Sequence, residues 1–160
     1  MLATLPLLAA LAAAPPVVGA LTGPVVHVRV VDQRSDPRAD VIGPACKALG
    51  VRCDVEPMAL TDAPELGTVS LLLTDFGPLA YGGGLVVGLT EGGGSCLPIV
   101  WSHADPVIVA HELGHALGLG HREDRLRALM HPAPIATDMT RGEKRDVRRG
   151  ARELSACGDV

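Results

Sequence analysis

The run from His111 to His121 carries the clearest chemistry in this chain and reads H-E-x-x-H-x-x-G-x-x-H. That spacing supplies three imidazoles for one zinc ion and a carboxylate for the water it activates. On a helix, His111 and His115 lie four apart, one above the other on a single face. Glu112 is rotated off that face, toward water rather than metal. Were the helix to continue, His121 would lie roughly 15 Å along the axis from His111 and about 80° around it. It could not then share the ion, so the chain must turn. Gly118 permits the turn, because glycine accepts the left-handed conformation that ends helices. Gly120 adds freedom. The chemistry expected is metal-assisted hydrolysis, with Glu112 as general base.

The elements that must hold these residues are legible nearby. Asp105 caps a helix and Pro106 suits its first position. Val107, Ile108, Val109, Ala110, Leu113, Ala116 and Leu117 make that helix apolar on most sides, which predicts burial. Buried histidines and a buried glutamate need partners, and a metal provides them.

Beyond this run, Ala128 to Pro132 reads Ala-Leu-Met-His-Pro. With His111, Glu112, His115, Gly118 and His121, it resembles the metzincin metalloproteases, specifically their matrixin-like branch. The resemblance covers roughly residues 100–135. It implies an α+β, zincin-type domain: a small mixed twisted sheet packed on an active-site helix and a C-terminal helix. It implies one catalytic Zn2+ on His111, His115 and His121, with Glu112 as base. Met130 would be the methionine of the Met-turn, beneath the zinc histidines. Matrixins commonly have Tyr-Pro after that methionine, where this chain has His131 and Pro132. The tyrosine that binds zinc in some metzincins would fall at Pro132, so that switch is missing. Val51 to Asp54 faintly echoes the matrixin latency motif, but Cys53 lies inside the domain and reads as structural.

The family also adds substrate to an exposed edge strand before the zinc helix, a case of β-augmentation. The matching candidate is Leu85 to Thr90, with Leu85, Val86, Val87 and Gly88 as substrate-binding residues. The loop Ile135 to Met139 corresponds to a wall of the pocket after the cut bond, making Ile135 a further candidate.

The rest of the chain agrees in element order. Val25 to Val31 alternates around His27 and Arg29 and predicts a strand with one buried face. Ala39 to Leu49 predicts a helix that Gly43 and Pro44 interrupt and Gly50 closes. Val51 to Val55 and Ile99 to Trp101 predict short strands. The continuous apolar run in Thr68 to Thr74 predicts a central strand. Thr140 with Glu143 forms a capping box ahead of a charged, amphipathic final helix over Arg141 to Ser155. The glycine runs at 82–84 and 92–94 are turns; neither has the lysine of a phosphate loop. His103 reads as a surface or capping residue. Asp36, Asp40, Asp62 and Asp75 read as solvated surface.

The 160 residues suit one domain, over 21–160, after a signal peptide over 1–20. That leader has an apolar core from Leu5 to Ala14 and small residues at Val18, Gly19 and Ala20, but no Lys or Arg. Pro6, Pro15 and Pro16 oppose a stable membrane span. The net charge of −4 and the lack of a basic run argue against nucleic acid. Cys46, Cys53, Cys96 and Cys157 show no CxxC spacing, so disulfides suit them better than a zinc knuckle. Four cysteines allow three pairings. Cys46 with Cys53, closing a short loop, is preferred, leaving Cys96 with Cys157. The expected function is a secreted, monomeric zinc endopeptidase acting on protein or peptide. A zinc-bound peptide-binding module and a zinc hydrolase of a non-protein amide remain the alternatives.

Overall fold

The computed structural model describes residues 23–37, 40–76, 78–81 and 84–159. The proposed leader over 1–20 lies outside them. In chain order the elements are β1 (Val25–Asp32), α1 (Ile42–Leu49), β2 (Arg52–Pro57), β3 (Thr68–Thr74), β4 (Leu79–Tyr81) and β5 (Gly84–Val86). They continue with β6 (Gly88–Glu91), β7 (Ile99–His103), α2 (Pro106–Ala116) and α3 (Arg141–Cys157).

The apolar run of β3 takes the middle of a five-stranded sheet, ordered β2-β1-β3-β7-β6. Buried on both faces, it can afford continuous apolarity. β1 pairs in parallel with β2 and β3, and β3 pairs in parallel with β7. Only β6 runs antiparallel, against β7, so the sheet is mixed. The alternation in β1 buries Val26, Val28 and Val30. One core joins them to Ala45 and Leu49 of α1, Val109 and Leu113 of α2, and Val147, Ala151 and Leu154 of α3. The fold is α+β, with α2 packed on α1, β6 and β7, and α3 packed on β1.

α1 begins at Ile42, later than expected; Ala39 lies outside the described residues. Gly43 and Pro44 do not interrupt it. They occupy its first turn, where backbone N–H groups lack helical partners and proline costs little. Asp40 Oδ1 accepts from Gly43 N at 2.9 Å, and Gly50 closes the helix at φ 71°. The capping box forms as expected: Thr140 Oγ1 accepts from Glu143 N at 3.1 Å, and Glu143 Oε2 accepts from Thr140 N at 2.6 Å.

The segment Leu85 to Thr90 is not one strand. Leu85 and Val86 belong to β5, in a local hairpin with β4. Val87 is a bend, and the edge strand of the main sheet is β6. The reason is partnership: Gly84, Leu85 and Val86 pair with Tyr81, Ala80 and Leu79, whereas Gly88 to Glu91 pair with β7. A uniformly apolar stretch carries no periodicity that reveals this break.

Both preferred disulfides are present, Cys46–Cys53 joining α1 to β2 and Cys96–Cys157 joining the approach to β7 to the end of α3. Such bonds persist in oxidising, extracytoplasmic surroundings. Among the described residues no helix is long and apolar enough to cross a membrane. Cys96–Cys157 spans 61 residues of sequence, so it restricts the unfolded chain far more than its partner, which spans 7. Removing it as C96A/C157A is expected to lower unfolding stability by about 4 kcal/mol. Urea titration of the variant beside the parent checks this; an unchanged midpoint would contradict it.

Candidate metal centre

The site begins with the cap of α2. Asp105 accepts from Val107 N at 2.7 Å and Ile108 N at 3.4 Å, with Pro106 in the first turn. The helix then buries His111 and Glu112, at 4% and 5% exposure, in the apolar surroundings its sequence requires. It ends at Ala116, one residue after the second histidine. Leu119 N donates to Gly114 O at 3.0 Å and Gly118 N to His115 O at 2.9 Å. Gly118 takes φ 86°, the left-handed value that lets the chain double back.

The doubling back returns His121 to the helix. His115 Nε2 lies 3.1 Å from His111 Nε2 and 3.1 Å from His121 Nε2. One ligand atom from each of the three lies within 4.8 Å of the others. Three nitrogens bound tetrahedrally to zinc would sit about 3.3 Å apart.

The hydrogen bonds around the rings say what this cluster needs. His111 Nδ1 donates to Leu129 O at 2.8 Å, and His115 Nδ1 donates to Leu119 O at 2.7 Å. With the proton on Nδ1, each neutral ring turns a lone pair inward at Nε2. Converging lone pairs repel unless a cation lies between them. Protonation of the buried ring is no remedy: burial, reinforced by the neighbouring imidazoles and opposed by the Leu129 carbonyl, lowers the His111 pKa to about 4. Burial lowers that of His115 as well. The donor set therefore fits a divalent metal of zinc type.

The segment from Ala128 to Pro132 underlies this arrangement. His131 N donates to Ala128 O at 3.1 Å, closing the turn, and Leu129 N donates to Asp138 O at 3.0 Å. Met130 is fully buried, its sulfur against Gly114, where an added Cβ would come within 2.6 Å of Sδ. Gly114 lies between His111 and His115, so Met130 sits directly under the ligand-bearing turn of α2. Arg122 N donates to Met130 O at 2.8 Å, pinning the chain just after His121. M130L nearly keeps the volume and is expected to cost about 1 kcal/mol of stability while metal stays bound. Thermal melts and metal analysis check this; loss of metal from a folded variant would contradict it.

Glu112 faces the same cleft as the histidines. Burial raises its pKa to about 7, and a hydrogen bond from Thr90 opposes the rise. Thr90 Oγ1 lies 2.7 Å from Glu112 Oε2 and 3.0 Å from the Glu112 backbone oxygen. A cleft of about 830 Å³ is lined by His111, Glu112, His115, Gly118 and His121. Val86, Val87 and Gly88 line one side, and Pro132 and Ile135 line another. Ile135 is 75% exposed, so it stands at the rim rather than forming a closed wall.

The outer edge of β6 borders this cleft. His103 N donates to Val87 O at 2.8 Å, and the register then pairs Leu89 with Trp101. Antiparallel strands alternate bonded and non-bonded pairs. The main-chain groups of Gly88 and Thr90 therefore point away from β7, toward the cleft side of the edge.

Other residues stay outside the centre. His103 O accepts from Asp105 N at 2.8 Å, next to the cap of α2. His131 Nδ1 accepts from Ala133 N at 3.1 Å and serves its own turn. Asp62 Oδ2 accepts from Ala59 N at 2.8 Å, and Asp75 Oδ2 from Ser35 N at 2.9 Å. The sequence did not single out Thr90, nor the carbonyls of Leu119 and Leu129. Backbone acceptors leave no trace in residue type, and Thr90 was visible only as the end of an apolar strand.

No protein-family model matches the chain, and no curated protein sequence does. Among solved structures, the chain is similar to metalloproteinase-II from Bacteroides fragilis, with a TM-score of 0.56 and 14% identity over 86% of this chain. It spans 55% of that chain, about half its length. At this identity the likeness is one of fold: an α+β domain of the kind seen in a metalloproteinase, here carrying a three-histidine group able to hold a metal.

Proposed function

We propose that this protein is an exported zinc endopeptidase of metzincin type, matrixin-like in its zinc motif. The observation that carries the reading is the convergence of three Nε2 atoms beside a buried glutamate, in a cleft bordered by a free strand edge. A purely structural metal site would have no use for the carboxylate or the open cleft. The leader over residues 1–20 directs export, and the two disulfides fit that address.

Zinc, when bound, acidifies water and polarises the scissile carbonyl as a Lewis acid. The protein supplies the rest. Leu129 and Leu119 hold two imidazoles in the ligand tautomer. Glu112 accepts the proton of the attacking water and passes it to the leaving amine. An extended peptide lies along β6, pairing with the outward main-chain groups of Gly88 and Thr90. Residues Pro132 to Ile135 face the segment beyond the cut bond.

The test is cleavage of a diverse quenched-peptide mixture by the zinc-loaded protein. Internal cuts are the expected outcome. Zinc bound at one ion per chain without any cut would replace this reading with a peptide-binding module or a hydrolase of non-peptide amides.

A further inference from the structure

Two residues of the edge strand close on the carboxylate of Glu112 from the sheet side. Gly88 and Thr90 are two apart on β6, so they present the same face. At Gly88, an added Cβ would lie 2.4 Å from Glu112 Oε1, 2.6 Å from Cγ and 2.7 Å from Cδ. The Glu112 side chain thus occupies the space a larger residue would fill. At Thr90, the hydroxyl has a single proton and two acceptors near it. The closer is Glu112 Oε2 at 2.7 Å, against 3.0 Å for the backbone oxygen.

We propose that Gly88 and Thr90 form a clasp in which Thr90 is the positioning residue for Glu112. The inference rests on the peptidase reading above. Glu112 has several rotatable bonds, and among the described residues the side-chain hydrogen bond to its carboxylate comes from Thr90. Gly88 lets the stem lie flat on the strand, and Thr90 fixes which oxygen turns inward. Oε1 is left for the attacking water. The main-chain groups of these same two residues face the free edge, so one strand sets both the peptide and the base. Their separation is then built into a single element of the sheet. A base displaced by about 1 Å can cost about 100-fold in rate.

The experiment combines turnover with a readout that needs neither metal nor substrate. T90V removes the donor and keeps the shape. It is expected to lower kcat by about 10–100-fold with KM little changed and zinc content unchanged. T90S, which restores the hydroxyl, is expected to recover most of kcat. G88A, which pushes on the carboxylate from the other side, is expected to lower kcat similarly. In parallel, melting temperatures of the metal-free T90V, E112A and T90V/E112A proteins form a double-mutant cycle. The double variant is expected to lose less than the sum of the single losses. Additive losses would overturn the clasp, as would a T90S no better than T90V, or a kcat loss that tracks lost zinc. If T90V fails to fold, T90A takes its place in both arms. Should the parent cut no peptide at all, the peptidase reading fails, and the metal-free cycle still decides the clasp.

Discussion

Glu112→Gln is expected to keep one zinc per chain and to lower peptide turnover by about 10²–10⁴-fold. Glutamine fills the same volume and can still accept the Thr90 hydroxyl, so the fold and the clasp survive. What it lacks is an oxygen basic enough to take a proton from water. The three Nε2 ligands belong to other residues and are untouched by the exchange. Metal analysis and kcat on one peptide check the two halves separately. Near-parent turnover with zinc in place would show that another group is the base. Loss of zinc would show that Glu112 supports the metal, and the fall in rate would then say nothing about proton transfer.

His111→Ala is expected to remove both metal and turnover. His115 and His121 would remain, but two imidazoles close only half of a tetrahedral shell. Losing a partner that merely orients a ligand costs about 10–100-fold in affinity, and losing the ligand costs more. Stability should fall as well. His111 is 4% exposed, and its Nδ1 donates to Leu129 O, next to Met130. Without the ring that buried carbonyl goes unpaired, at about 1–3 kcal/mol. Zinc competition against a chromophoric chelator, and melts with and without zinc, read these effects. In the parent, zinc at a thousandfold excess over its Kd adds about 4 kcal/mol to stability; in the variant that gain is expected to vanish. A variant that still bound one zinc with parental affinity would remove His111 from the ligand set.

Much of this centre was legible in residue types because its parts are local. Four-residue spacing on a helix, a glycine two residues past its end and a capping aspartate are matters of backbone geometry. They depend little on what the rest of the chain does. The central place of β3 was legible for a similar reason, since burial on both faces imprints continuous apolarity. The disulfide partners were favoured by loop length but could be settled only by packing, because spacing alone leaves three pairings open.

Where the reading failed, the deciding force was long-range. Leu85 to Thr90 has one composition throughout, yet hydrogen-bond partners divide it: Leu79 to Tyr81 claims the first part and β7 the second. No local term distinguishes those partners in advance. α1 starts late because its glycine and proline fit a first turn better than an interior.

The motif from His111 to His121 and the turn at Met130 follow from short-range spacing, and so does the class of metal they suit. How the histidines are aimed, and what holds Glu112, came from contacts between segments far apart in the chain. Leu129 orients His111 across 18 residues, and Thr90 reaches Glu112 across 22. A main-chain carbonyl is the same in every residue, and a threonine in an apolar strand is ordinary. Such groups acquire a role only when folding places them within hydrogen-bond distance of a buried charge or ring, where an unpaired polar atom would be costly.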